Sequence, residues 1–245
     1  MAKRSERVQR RTKESHYASD FDSVVTPMKL RSAAVQQRPR IEPKTEIQSI
    51  YMQAILANDL TFGVGPAGTG KTYLPTALAA DALLSKRTDK IVVTRPAQEA
   101  GESLGFLPGE LDEKYEPYLQ PIRQVLIERM GVGAMECGLK NGKIEPVPLA
   151  FMRGRTFNDC WVILDEAQNV TPKQMKMFLT RIGENCKVIV CGDTDQVDIV
   201  GQSGLKDAAE RCAWIKRVAV VEFEIEDVVR SGLCLDILKS YSQLA

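Results

Sequence analysis

"FGVGPAGTGKTYLP", residues 62–75, sets a lysine and four glycines directly behind a short apolar run. Inside it, "GPAGTGKT" (65–72) satisfies the spacing G-x-x-x-x-G-K-[ST]. Gly65, Gly68 and Gly70 admit backbone conformations closed to other residues and leave no side chain in the way of a close ligand. The run Gly65, Pro66, Ala67, Gly68, Thr69, Gly70 is expected to turn peptide N–H groups inward as an anion nest, with the positive end of the next helix behind it. Lys71 would then reach the β- and γ-phosphates of a nucleoside triphosphate, and the Thr72 hydroxyl would ligate Mg²⁺. A purely structural glycine turn meets the same spacing. The strand expected before the loop and the helix after it favour the phosphate site.

Working outward, five short β-branched runs read as strands: "LTFGV" (60–64), "KIVVT" (90–94), "WVILD" (161–165), "KVIVC" (187–191) and "RVAVVEF" (217–223). Helical patterns lie between several of them, including "YLPTALAADALLSK" (73–86) and "TPKQMKMFLTRIG" (171–183). The second opens on Thr171 as N-cap with Pro172 at the first helical position. This alternation predicts an α/β fold of three layers, a mainly parallel sheet with helices on both faces. Between 95 and 160 we expect a helix near 118–130 and a β-hairpin on "LKNGKIEPVPLA", turned at Asn141-Gly142. Pro75 fits poorly, because a proline in a helix interior costs ~3 kcal/mol or more. A kink or a late helix start is expected there.

"WVILDEAQN" (161–169) ends a strand in two carboxylates at the carboxyl edge of the sheet, beside the glycine loop. Asp165 is the candidate Mg²⁺ ligand, directly or through water. Glu166 is the candidate to orient or activate the attacking water. "CGDTDQVD" (191–198) brings Asp193, Asp195 and Gln196 to the same edge. The Gln196 amide can bond a γ-phosphate or its water without adding charge. An acidic turn capping the strand is the plainer reading of that segment.

The chain has 245 residues, 44% hydrophobic and 27% charged, as in an ordinary globular protein. His16 is the single histidine and lies in a polar tail, which argues against serine-protease-type and His-ligated metal chemistry. Six dispersed cysteines without a CxxC read as free thiols of a reducing cytoplasm. No apolar run approaches a membrane span, and "MAKRSERVQRR" lacks the apolar region of a secretory signal. Residues 1–40 carry ten Lys and Arg against four Asp and Glu, while the remainder carries 23 against 28. That arm is expected to be disordered, and serves either to bind nucleic acid or merely to solubilise.

With these segments in hand, the chain resembles the PhoH family of ATPases, relatives of the superfamily 1 helicase core. The resemblance runs through "VGPAGTGKTYL", "TRPAQEAGESLGFLPGEL" (94–111), "PLAFMRGRTFND" (148–159), "ILDEAQN", "GDTDQVD" and "DVVRSGL" (227–233). Pro75 departs from it, where a small helix former is usual, and so does Ser231, where a histidine is frequent. The family implies a RecA-like P-loop NTPase domain over 41–245, linked to RNA metabolism. "PKTEIQSIY" (43–51) resembles a helicase Q-motif, which implies that Gln48 reads adenine through its amide. By the same resemblance Arg95 is a nucleic-acid phosphate contact, although Glu99, Glu102 and Glu110 leave a structural or subunit-contact role open. Arg153 and Arg155 would bind RNA or reach a neighbour's nucleotide. Arg230 would stabilise charge on the γ-phosphate. Helicases of this kind close two such domains around ATP, and this chain has room for one. The expectation is therefore a cytoplasmic homo-oligomer, a hexameric ring.

Three functions compete. The first is an Mg²⁺-dependent ATPase coupled to movement or remodelling on single-stranded RNA or DNA. The second is a P-loop phosphotransferase, for which residues 97–157 offer length but no recognisable basic lid. The third is a nucleotide-gated binding module.

Overall fold

The computed structural model describes residues 39–96, 98–99, 102–103 and 111–242. Apart from its last two residues, the basic arm of 1–40 lies outside these. The elements run α1 (Glu46–Ala57), β1 (Leu60–Val64), α2 (Tyr73–Leu84), β2 (Lys90–Thr94), β3 (Gln98–Glu99), β4 (Glu102–Ser103), α3 (Leu111–Met130), α4 (Val132–Lys140), β5 (Ile144–Pro146), β6 (Cys160–Leu164), α5 (Pro172–Leu179), β7 (Lys187–Gly192), α6 (Gly204–Cys212), β8 (Val218–Glu222) and α7 (Gly232–Ser242). All five runs expected as strands are strands. β3 and β4 make a separate antiparallel pair.

The remaining six strands form one sheet in the order β5-β2-β6-β7-β1-β8, and every pairing in it is parallel. Such a sheet is buried on both faces, so its strands read as continuous apolar runs rather than alternating ones. Alternate residues still face opposite ways. Ile91, Val93, Trp161, Ile163 and Ile189 pack with α1–α4, whereas Phe62, Val92, Val162, Leu164 and Val190 pack with α5 and α6. The result is three layers with a core on each side of the sheet. β7 lies between the loop-bearing β1 and the carboxylate-bearing β6, the RecA-like arrangement. Among the described residues no helix is long and apolar enough to cross a membrane.

Local chemistry sets the element ends. Thr171 caps α5 with a reciprocal capping box to Gln174, and Pro172 follows at the helix start. Arg129 of α3, 6% exposed, meets Asp81 of α2 with Nη2 2.6 Å from Oδ2.

The hairpin expected on 139–150 does not form. Asn141 ends α4 and Gly142 takes φ +64° behind it, because an Asn-Gly pair serves a helix terminus as well as a tight turn. β5 then runs parallel to β2 at the sheet edge, where the missing donor of Pro146 is tolerated. The helix expected near 118–130 begins earlier, at Leu111.

Candidate nucleotide site

The glycine loop leaves β1 at the carboxyl edge of the sheet and turns on positive-φ backbone at Gly65 (140°), Gly68 (88°) and Gly70 (88°). A Cβ on Gly65 would meet the Phe223 carbonyl oxygen at 2.3 Å, and one on Gly68 would meet Arg230 Nε at 2.7 Å. Lys71 is 8% exposed and its Nζ donates to the Pro66 carbonyl at 2.5 Å. Burial lowers its pKa, and the neighbouring carboxylates, Asp193 foremost, offset part of that shift.

The Thr72 hydroxyl donates to Asp165 Oδ1 at 2.7 Å. Asp165 follows the end of β6, with its peptide N–H held by the Thr94 carbonyl of neighbouring β2 at 2.9 Å. It is 5% exposed, and burial raises its pKa while the Arg95 guanidinium pulls it back down. Glu166 has left-handed backbone, φ 53° and ψ 40°. For a non-glycine residue that conformation costs about 1–3 kcal/mol and clusters at functional sites.

Arg95 lies beside both carboxylates. Its side chain is 11% exposed, with Nη2 2.7 Å from Glu166 Oε1 and Nε 3.5 Å from Asp165 Oδ2. These two contacts draw the guanidinium to the carboxylate pair. The strand register explains why: Thr94 lies opposite Leu164 in the β2–β6 pairing, so the residues after each strand end share one site.

A polar network ties the carboxylates to the third strand. Gln168 Nε2 donates to Glu166 Oε2 at 2.7 Å, and its Oε1 accepts from the Asp193 N–H at 3.0 Å. Asp193 Oδ2 accepts from the Ala67 N–H of the loop at 3.1 Å and from Gln196 Nε2 at 2.9 Å. Sequence reasoning passed over Gln168. Its signal was only its place in "DEAQ", where a buried amide (1% exposed) must satisfy both its ends.

Gln48 lies against the glycine loop. It is 4% exposed and lies behind the loop, donating through Nε2 to the Thr69 carbonyl at 2.9 Å and accepting at Oε1 from the Lys44 N–H at 2.7 Å. One N–H and one lone pair of the amide thus tie α1 to the loop and to the segment ahead of the helix. Arg230 reaches the site from the C-terminal part of the chain, brought there by the Val229 N–H bonding the Gly68 carbonyl at 2.9 Å. Arg155 is taken up by an ion pair to Glu145 at 2.7 Å and lies over the Phe157 ring, while Arg153 is exposed.

Ala67, Gly68, Gly70, Lys71, Thr72, Arg95, Asp165, Glu166, Asp193, Gln196 and Arg230 line one cavity of about 300 Å³. Its residues fit a magnesium–triphosphate ligand. Thr72 and Asp165 offer hard oxygen donors to the metal, and the packing of the loop against Phe223 and Arg230 leaves no room for a Cβ at Gly65 or Gly68.

The profile of a family described as PhoH-like protein matches residues 40–242. Protein PhoH of Escherichia coli K12 is 45% identical over 97% of this chain and 70% of its own length. A PhoH-like protein of Bacillus subtilis is 50% identical over 83% of this chain and 64% of its own. Among solved structures, the Pif1 helicase of Candida albicans aligns with a TM-score of 0.37 at 16% identity, covering 76% of this chain and 41% of that one. Domain III of the Thermotoga maritima replication initiation protein DnaA aligns with a TM-score of 0.37 at 14% identity, covering 76% and 67%.

Proposed function

Because the chain belongs to the PhoH-like protein family, we propose that it is an Mg²⁺-dependent ATPase whose turnover is coupled to single-stranded RNA or DNA. The observation that carries the reading is the 2.7 Å approach of Thr72 Oγ1 to Asp165 Oδ1, which assembles a metal-binding pair at the mouth of a phosphate nest. Thr72 and Asp165 would hold magnesium, which when bound would supply positive charge to offset the negative charge of the triphosphate.

The chain's own groups do the rest. The loop N–H groups and the Lys71 ammonium bind the phosphates, for which Lys71 exchanges the Pro66 carbonyl for phosphate oxygen. Glu166, steadied by Gln168, accepts hydrogen from the attacking water and directs its lone pair. Gln196 holds the same region from the segment after β7 without adding charge. Arg95 and Arg230 line the cavity, and in this reading their guanidinium groups take up the charge that builds on the γ-phosphate. Hydrolysis then needs no arginine from a neighbouring subunit, so the ring expected from the single domain is not a requirement of the chemistry.

Coupling to nucleic acid rests on the family membership, exposed Arg153 and the basic residues of 1–40. The test is phosphate release from MgATP with and without single-stranded RNA, in the wild type and in Lys71→Ala. Hydrolysis that survives Lys71→Ala defeats the ATPase reading. Hydrolysis indifferent to RNA and DNA defeats the coupling and leaves a nucleotide-gated binding module.

A further inference from the structure

α2 contains Pro75 at its third residue, and its neighbours show what that proline removes. The Leu74 N–H bonds the Gly70 carbonyl at 3.0 Å and the Thr76 N–H bonds the Thr72 carbonyl at 3.3 Å. The rung between them would run from residue 75 to the Lys71 carbonyl, and proline has no N–H to make it. We infer that Pro75 hands the Lys71 carbonyl from the helix ladder to Tyr51 and Cys191, which thereby act as positioning residues for the phosphate-binding lysine. This rests on the reading of the cavity as a nucleotide site.

The geometry is specific. Tyr51 Oη donates to the Lys71 carbonyl at 3.2 Å and Cys191 Sγ donates to it at 3.1 Å. The two donors are themselves 3.4 Å apart. Both side chains are 0% exposed, so neither bond has water as a ready substitute, and a buried carbonyl stripped of donors is strongly disfavoured. Burial raises the pKa of the Tyr51 hydroxyl and of the Cys191 thiol, which keeps a proton on each donor.

Two further residues are shaped to this contact. A Cβ on Gly63 of β1 would lie 2.6 Å from Tyr51 Oη, so only glycine lets the hydroxyl pass over the strand. Phe223 holds the Tyr51 ring edge-on at 5.2 Å between centroids. Gln48, one turn before Tyr51 on α1, takes the Thr69 carbonyl. α1 therefore grips the loop at two peptides, 69 and 71, and β7 grips the second as well. The Lys71 side chain springs from the residue whose own carbonyl is pinned, so any drift of that peptide displaces Nζ from the phosphates.

The experiment compares wild type, Tyr51→Phe, and Tyr51→Phe combined with Pro75→Ala. The alanine restores an N–H at 75, which can take the Lys71 carbonyl back into the helix. Tyr51→Phe should raise the KM for ATP about fivefold, the weight of one hydrogen bond, with kcat within about twofold of wild type. The double variant should return KM to within about twofold of wild type. A merely structural loss would instead lower kcat through the active fraction and leave KM alone. An unchanged KM in Tyr51→Phe, or a double variant as impaired as the single, overturns the inference. Titration with a fluorescent ATP analogue separates the two levels. If wild type binds none, the nucleotide reading fails by itself and the anchor is judged by melting. A midpoint lowered by about 2–4 °C in Tyr51→Phe and recovered in the double variant upholds it; unaltered melting overturns it.

Discussion

Thr72 and Asp165, 93 positions apart in sequence, meet at 2.7 Å between hydroxyl and carboxylate. The parallel pairings from β1 through β7 to β6 carry them to the same sheet edge. The Asp165 charge is held at a cost, because burial raises its pKa above the ordinary carboxylate value of 3.8. The folded state therefore keeps the proton to higher pH than the unfolded state, and ionisation above that value subtracts from stability. Asp165→Asn should melt no lower than wild type at neutral pH while losing about 10²-fold or more in kcat/KM. Calorimetry beside phosphate release checks both halves, and a large drop in melting temperature would show that the carboxylate is needed by the fold.

Glu166→Gln should separate binding from turnover. A glutamine can still present its one oxygen to Gln168 Nε2, now 2.7 Å from Glu166 Oε2, at the loss of the ion pair to Arg95. It cannot take a proton from water. ATP affinity measured at equilibrium should stay within about threefold of wild type, while hydrolysis falls about 10²–10⁴-fold. Near-normal turnover would remove Glu166 from the water-directing role.

Arg95→Ala should move a pH profile. The guanidinium lowers the Asp165 pKa against the pull of burial, so its loss lets that pKa climb further. The acidic limb of kcat/KM, which reports the free enzyme, should shift to higher pH. Affinity for single-stranded RNA, read by fluorescence anisotropy, should not change. Weakened RNA binding with an unmoved acidic limb would return Arg95 to the nucleic-acid surface.

The arginines within the cavity make a further point measurable. Arg230 lies over Gly68 of the same chain, so hydrolysis per chain should stay constant on dilution from micromolar to nanomolar protein. Arg230→Ala should lower kcat about 10²-fold. A specific activity that falls steeply on dilution would mean that a second chain completes the site.

Much of this was legible in the residues because a buried parallel sheet writes itself as β-branched runs. The runs at 60–64, 90–94 and 187–191 lie within strands of nearly the same bounds. The loop was legible because positive φ at Gly65, Gly68 and Gly70 demands glycine. β5 was hidden, since three residues with an Asn-Gly pair ahead carry the signal of a hairpin, and only the end of α4 decides otherwise. The place of Arg95 was hidden for a different reason. Its direction depends on the register of β2 against β6, a partnership between segments that no local pattern encodes. Gln48 was read as facing adenine from the likeness of 43–51 to a helicase Q-motif, and its bonds to Thr69 and Lys44 come from the packing of α1 on the loop, which no local pattern encodes.

The pairing of β1 sets a timetable for synthesis. Leu60–Val64 is bonded on one side to Val188–Gly192 and on the other to Val218–Glu222, so the strand that launches the glycine loop leaves the ribosome long before either neighbour exists. Until then its apolar residues have no sheet to join and stand open to misassembly or to a holdase chaperone. Nascent chains arrested ahead of Val218 should therefore fail to protect the loop from protease even with ATP present, and competence should arrive in one late step once β8 docks.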